Sequence, residues 1–242
     1  MRQQSIELFS GPRPLMMQEI AFPIPLRIAM LAPHPDDFDA VAVSMRLLQR
    51  RGHEIHVAVL TSGASGVEDG FQGACTPDEK AAIREAEQRA SCELFGLPPE
   101  QLRFLRLWEN EDPSADEARL RDYLGAIQPE LVFLPHGNDS NRTHRRTFES
   151  FHSIASQDRM QLWACMNLDA KTLGMRSDLL MYFGEEEATW KARLLRLHRS
   201  QHERNLRSRG IGFDERVLSV NRHAAAGSSH PYAEAFEVQR YG

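Results

Sequence analysis

The 242 residues, 41% of them hydrophobic, are enough to bury a full core, and an α/β unit of this length is commonly one domain. With 29 Lys and Arg against 34 Asp and Glu, the net charge is -5, and no basic stripe is interleaved with aromatics, so nucleic acid is not an expected partner. No stretch reaches the length of a membrane span, Glu7, Glu19 and several prolines interrupt any signal-peptide core, and Cys75, Cys92 and Cys165 lack CxxC spacing. Together these features predict a cytoplasmic protein with neither a disulfide framework nor a cysteine-based zinc site.

Residues 1–25, with Pro12, Pro14, Pro23 and Pro25, read as an irregular leader that packs over the domain or mediates assembly, and 26–242 as the domain itself. Leu26 to Ala32 is a short apolar strand, followed by Ala40, Val43, Leu47 and Leu48 at helical spacing until Gly52. Glu54 to Ser62 supplies the next strand, with Ile55, Val57 and Val59 on one face, and Gly63 to Cys75 is a glycine-rich loop at its C-terminal end. Thr76-Pro77-Asp78-Glu79 combines a cap, a first-turn proline and a capping box, so a helix is predicted from there to about Leu94, before Gly96. Leu102 to Leu107 reads as a third strand, Ser114 with Glu117 opens a helix that ends at Gln128-Pro129, and Leu131 to Pro135 is a fourth strand. Further strands are predicted over Leu162 to Met166 and Leu179 to Phe183, then one helix from Glu187 to Asn205. This rhythm predicts a Rossmann-like α/β fold, a mostly parallel sheet with helices on both faces, binding ligands beyond the C-terminal strand ends.

Two polar clusters fall at such ends. The first strand stops at His34-Pro35-Asp36-Asp37-Phe38-Asp39, one imidazole and three carboxylates, and desolvating carboxylates side by side is costly unless a cation or dense hydrogen bonding compensates. The fourth strand runs into His136-Gly137-Asn138-Asp139-Ser140-Asn141-Arg142-Thr143-His144. His34 and Asp37 can hold an ion, the second cluster can add a ligand across the crevice, and Asp36 is free to move protons. A His/Asp/His set suits Zn²⁺ and leaves a position open for water, the arrangement of a catalytic site able to hydrolyse an amide.

At these residues the chain resembles the LmbE-like, or PIG-L, family of metal-dependent N-acetylglucosaminyl deacetylases. His34-Pro35-Asp36-Asp37 matches its His-Pro-Asp-Asp hallmark, Thr61-Ser62-Gly63 the end of its second strand, Arg84 to Glu87 its Arg-x-x-Glu helix, and His198-Arg199-Ser200-Gln201 its late His-x-Ser-Gln element. The resemblance implies His34, Asp37 and His144 as metal ligands, Zn²⁺ or else Fe²⁺ or Co²⁺ as the metal, Asp36 as general base, and Arg84 facing the substrate. It implies removal of an N-acetyl group from a small amino sugar or glycoconjugate, with homo-oligomerisation left open. Two departures stand out. Asn141 and Thr143 replace the family's oxyanion-stabilising His and the Asp that orients it, so that Asn141 becomes the oxyanion donor and His136 a second candidate for the missing imidazole. Val41-Ala42-Val43-Ser44 replaces the glycines that commonly follow the first motif. The alternatives are a metal- and carbohydrate-binding member without catalysis, or a hydrolase of a different amide.

Overall fold

Hydrophobic side chains run without interruption along the central strand because both faces of the sheet are covered. In β2 (Arg27–Ala32), Ile28, Met30 and Ala32 join one buried cluster, whereas Ala29 and Leu31 join another on the opposite face. The computed structural model describes residues 8–22, 25–109 and 113–242. Within them, β1 (Leu15–Met16), β2, β3 (Glu54–Val59), β4 (Leu102–Phe104), β5 (Leu131–Pro135), β6 (Leu162–Asn167), β7 (Leu179–Phe183) and β8 (Tyr232–Tyr241) form one sheet. Its order is β1-β7-β8-β6-β5-β2-β3-β4, with every pairing parallel except those of β8. This is the expected single-domain, mostly parallel α/β architecture.

The helices are α1 (Ala42–Arg50), α2 (Pro77–Phe95), α3 (Pro113–Ile127), α4 (Arg142–Gln157), α5 (Glu185–Leu197), α6 (Arg199–Arg209) and α7 (Phe213–Ala224). One layer buries Met45 and Leu48 of α1 with Ala188 and Leu194 of α5, and the other buries Leu120 and Leu124 of α3 with Phe151 and Ile154 of α4. The capping box forms as expected: Thr76 Oγ1 accepts the Glu79 N–H at 3.3 Å, the Glu79 carboxylate accepts the Thr76 N–H at 2.9 Å, and Gly96 closes the helix with φ 86°.

Several elements depart from expectation. The third strand ends at Phe104 rather than Leu107, because Arg106 and Trp108 take left-handed backbone, with φ 47° and 62°. The helix predicted to open at Ser114 begins one residue earlier, so Ser114 lies inside its first turn and the residues before Pro113 lie outside the described ones. The single late helix is two, broken at His198 (φ -79°, ψ 64°), whose side chain turns to the buried Asp39. The glycine-rich loop contains two single-turn 3₁₀ helices, Ala64–Gly66 and Phe71–Gly73. Helix α7 and strand β8 were not foreseen, and β8 inserts antiparallel between β6 and β7. Of the N-terminal leader, residues 1–7 and 23–24, including Pro23, lie outside the described residues; Leu15 and Met16 pair with β7, and Phe9, Met17 and Phe22 are buried.

Candidate active site

The chain leaves β2 towards β3 and β4 on one side, then returns to place β5 on its other side, so the strand order reverses between β2 and β5. A crevice opens outside the carboxyl ends of two such strands. His34 to Asp39 follow β2, and His136 to His144 follow β5, so both polar clusters line a cavity of about 310 Å³ at this point.

Three residues named from sequence converge there. The candidate ligand atoms of His34, Asp37 and His144 all lie within 4.8 Å of one another. His34 Nδ1 is 3.1 Å from Asp37 Oδ2, and His144 Nε2 is 3.7 Å from Asp37 Oδ1. Donors bound at about 2.1 Å in a tetrahedron are separated by about 3.4 Å, so this set fits a four-coordinate divalent ion with little movement. Asp139 lies 3.1 Å from His144 Nδ1 through its Oδ2 and accepts the Asn141 N–H through Oδ1 at 2.6 Å. A carboxylate behind one imidazole nitrogen leaves the other to face a metal. A second candidate group, Asp139, His144 and Asp169, shares His144, but its Asp139 is already committed to that orienting bond.

The charges of the cluster act on one another at close range. Burial raises the Asp37 carboxyl, but the His144 charge and the His34 hydrogen bond outweigh it and hold Asp37 well below the usual carboxylate range. Burial alone would lower the His144 imidazole, yet Asp37 and Asp139 beside it raise its pKa above the usual histidine value. Asp139 is likewise lowered, the penalty of its burial being exceeded by hydrogen bonds from His144 and the Asn141 N–H.

Asp36 stands beside this cluster on strained backbone, at φ 121°, well outside the left-handed helical range and rarely adopted by residues other than glycine. Its N–H donates to Gln88 Oε1 at 2.9 Å, and its Oδ2 accepts from Arg84 Nη2 at 2.9 Å. The buried Arg84 also donates to the Pro35 carbonyl and lies 3.6 Å from Glu87, whose carboxylate accepts the N–H and hydroxyl of Ser200, both at 2.7 Å. The Arg-x-x-Glu helix and the His-x-Ser-Gln element therefore meet behind Asp36. Arg84 lines the cavity, with its guanidinium committed to an ion pair with Asp36. Gly63, at φ 65°, lets the β3 end approach: a Cβ would sit 3.0 Å from the Pro35 ring and 3.2 Å from Arg84 Nε.

Asp39 begins a 3₁₀ turn but makes no side-chain cap; it accepts from Ser91 Oγ at 2.7 Å and pairs with His198 Nε2. Asn141 lines the cavity and caps α4, its Oδ1 accepting the Thr143 N–H at 2.9 Å, which leaves the amide Nδ2 as its donor. His136 turns away, its Nδ1 accepting the Asn138 N–H and its Nε2 lying 3.4 Å from Glu237, and it does not line the cavity. Sequence reasoning missed the group beneath α1: Glu234 accepts the N–H groups of Val43 and Ser44 and is paired at 2.7 Å with the fully buried Lys191. For Glu234, a carboxylate centred in the apolar run Tyr232 to Phe236 was the available signal, whereas Lys191, in a helix that also carries Arg193 and Arg196, gave none.

A mostly parallel α/β sheet with this convergence of imidazole and carboxylate at its switch point defines an enzyme-like site on a Rossmann-like fold. The family model described as GlcNAc-PI de-N-acetylase, PIG-L, matches residues 29–155, just over half of the chain. The chain belongs to the PIG-L family. It is 23% identical over 267 aligned positions to a glucosamine-6-phosphate deaminase-like protein of Bacteroides thetaiotaomicron, covering 83% of this chain and 39% of that one. The chain thus spans about two fifths of the length of that curated relative. Among solved structures, the N,N'-diacetylchitobiose deacetylase of Pyrococcus horikoshii superposes with a TM-score of 0.73 at 19% identity, over 88% of this chain and 83% of that one. The A40926 pseudoaglycone deacetylase Dbv21 gives 0.66 at 18% identity over 90% and 98%. The 4-carboxy-2-hydroxymuconate hydratase GalB of Pseudomonas putida gives 0.59 at 16% identity over 87% and 95%, so the same fold carries other chemistry.

Proposed function

We propose that the chain is a metal-dependent N-deacetylase that hydrolyses the acetamide of an amino sugar or glycoconjugate. The convergence of His34, Asp37 and His144 beside an Asp36 held by Arg84 carries this reading. His34, Asp37 and His144 would hold Zn²⁺, or alternatively Fe²⁺ or Co²⁺, and the ion when bound would supply Lewis-acid polarisation at the acetamide carbonyl. Asp36 Oδ2 is occupied by Arg84, while Oδ1 has no partner among the described residues and is the atom that takes the proton of the attacking water. That proton passes to the departing nitrogen as the C–N bond breaks, giving acetate and an amine. Asn141 Nδ2 donates to the carbonyl oxygen as negative charge develops there; it cannot act as an acid, so Asp36 carries both proton transfers.

Asn141 and Thr143, in place of the imidazole and carboxylate implied by the family resemblance, favour a second reading in which the site binds an acetylated sugar without turnover. Acetate release from a panel of N-acetylated sugars separates the two. The deacetylase reading expects release that chelation abolishes and added Zn²⁺ restores. Binding without release at saturating Zn²⁺ selects the second reading, and release of a different acid would assign the site to another amide.

A further inference from the structure

The cavity mouth carries three cations from three separate elements: Lys171 in the segment after β6, Arg204 on α6 and Arg216 on α7. Neighbouring arginines of the same helices are neutralised, Arg207 by Glu68 and Arg222 by Glu215. By contrast, neither the Lys171 ammonium nor the Arg216 guanidinium makes a hydrogen bond or ion pair among the described residues, Lys171 acting on Asp139 only through its field, and Arg204 donates only to the uncharged carbonyl of Gly66 at 3.2 Å. The acidic groups of the same cavity are otherwise engaged. Asp36 is paired with Arg84, Asp37 belongs to the metal-binding set, and Asp169 groups with Asp139 and His144 while its Oδ2 accepts the Lys171 N–H at 3.2 Å. A chain with net charge -5 therefore lines this cavity with three cations that no ion pair among the described residues neutralises.

Guanidinium and ammonium groups that line one cavity can bind oxyanions through charge-assisted hydrogen bonds, two at a time for arginine. We infer that the mouth recognises an anionic substituent, a phosphate or a carboxylate, carried by the substrate away from its acetamide. This rests on the deacetylase reading for the acetamide end, whereas the anion end stands on Lys171, Arg204 and Arg216 alone. These three residues would set specificity and take no part in bond cleavage.

The test compares N-acetylglucosamine, N-acetylglucosamine 6-phosphate and N-acetylmuramic acid on the Zn²⁺-loaded protein, by calorimetric binding and by acetate release. At least one anionic sugar should bind about tenfold more tightly than the neutral one, with the preference shrinking at about 0.5 M NaCl. Whichever anionic sugar shows it identifies phosphate or carboxylate as the source. The triple variant Lys171→Gln/Arg204→Gln/Arg216→Gln should fold with an unchanged unfolding midpoint and lose the preference, while Arg204→Lys/Arg216→Lys keeps part of it. Equal affinity for charged and neutral sugars, no binding of any of them, or a preference that survives in the triple variant overturns the inference. Anion-selective binding without acetate release would sink the deacetylase reading and leave this one standing; unselective acetate release would do the reverse.

Discussion

Two charged groups flank the first turn of α1, and they solve burial in opposite ways. In front, His34, Asp37 and His144 lie within 4.8 Å of one another, with ligand atoms turned to a cavity. Behind, Lys191 donates to the Ala40 carbonyl, Asn221 Oδ1 and Glu234 Oε1, while Glu234 receives the first-turn N–H groups of α1. The rear group satisfies itself and asks for no ligand. The front group is stabilised only in part by its own members, and under the proposed reading an ion would complete it. Charge clusters of similar composition are thus told apart by whether their hydrogen bonds close internally.

Substitutions can break or sharpen that contrast. The largest effect is expected at the front: Asp36→Asn should lower turnover by about 10²- to 10⁴-fold while metal content, measured by atomic absorption, stays at wild-type level. Asn matches Asp in shape and asks nothing new of the backbone at this position, so the fold should persist. Full activity in this variant would remove Asp36 as the base. At the rear, Lys191→Met leaves the Glu234 carboxylate buried and unpaired, which should cost about 3–5 kcal/mol in urea unfolding, and Lys191→Met/Glu234→Leu should recover much of it. Loss of metal from the single variant at a protein concentration where it remains folded would show that the two groups are not independent.

Asp139→Asn should weaken metal binding by about 10- to 100-fold in chelator competition, through the orientation of His144, with a smaller change in stability. Smallest of all is a pH effect confined to the metal-free protein. The lowered Asp139 pKa contributes stability that is present above its unfolded value of about 3.9 and lost as pH falls through the folded value; the raised His144 pKa contributes stability present below about 6.5 and lost as pH rises through the folded value. Metal-free wild type should therefore exceed His144→Asn most between about pH 4 and 6.5. A stability difference that is flat across that range would show that the front cluster is as closed as the rear one.

Much of this site was legible in the chain because its parts are local. The His34-Pro35-Asp36-Asp37 run places two candidate ligands and a candidate base within four residues, and Thr76 with Glu79 marks a helix start through bonds that span a single turn. Asn141 as a departure was likewise visible a few residues from His144, whereas whether Asp139 orients a ligand or only forms a turn was open until the fold placed it against His144. The rest depended on partners far apart. His198 was read as part of one continuous helix because local propensity favours continuation, whereas its bond to Asp39, 159 residues away, accompanies a break. Strand β8 enters between β6 and β7 only after the chain has passed through α7, an order that alternation within one segment cannot express.

The sequence by itself determined the mostly parallel α/β frame and the chemistry available at two strand ends, since both follow from side-chain periodicity and residue type over short spans. Tertiary structure decided that those ends meet at the strand-order reversal, that Arg84 is held against Asp36, and that Lys191 and Glu234 close on each other beneath α1. Each of those outcomes is a pairing of charges distant in the chain, and their energies depend on burial and distance, which only the folded packing sets.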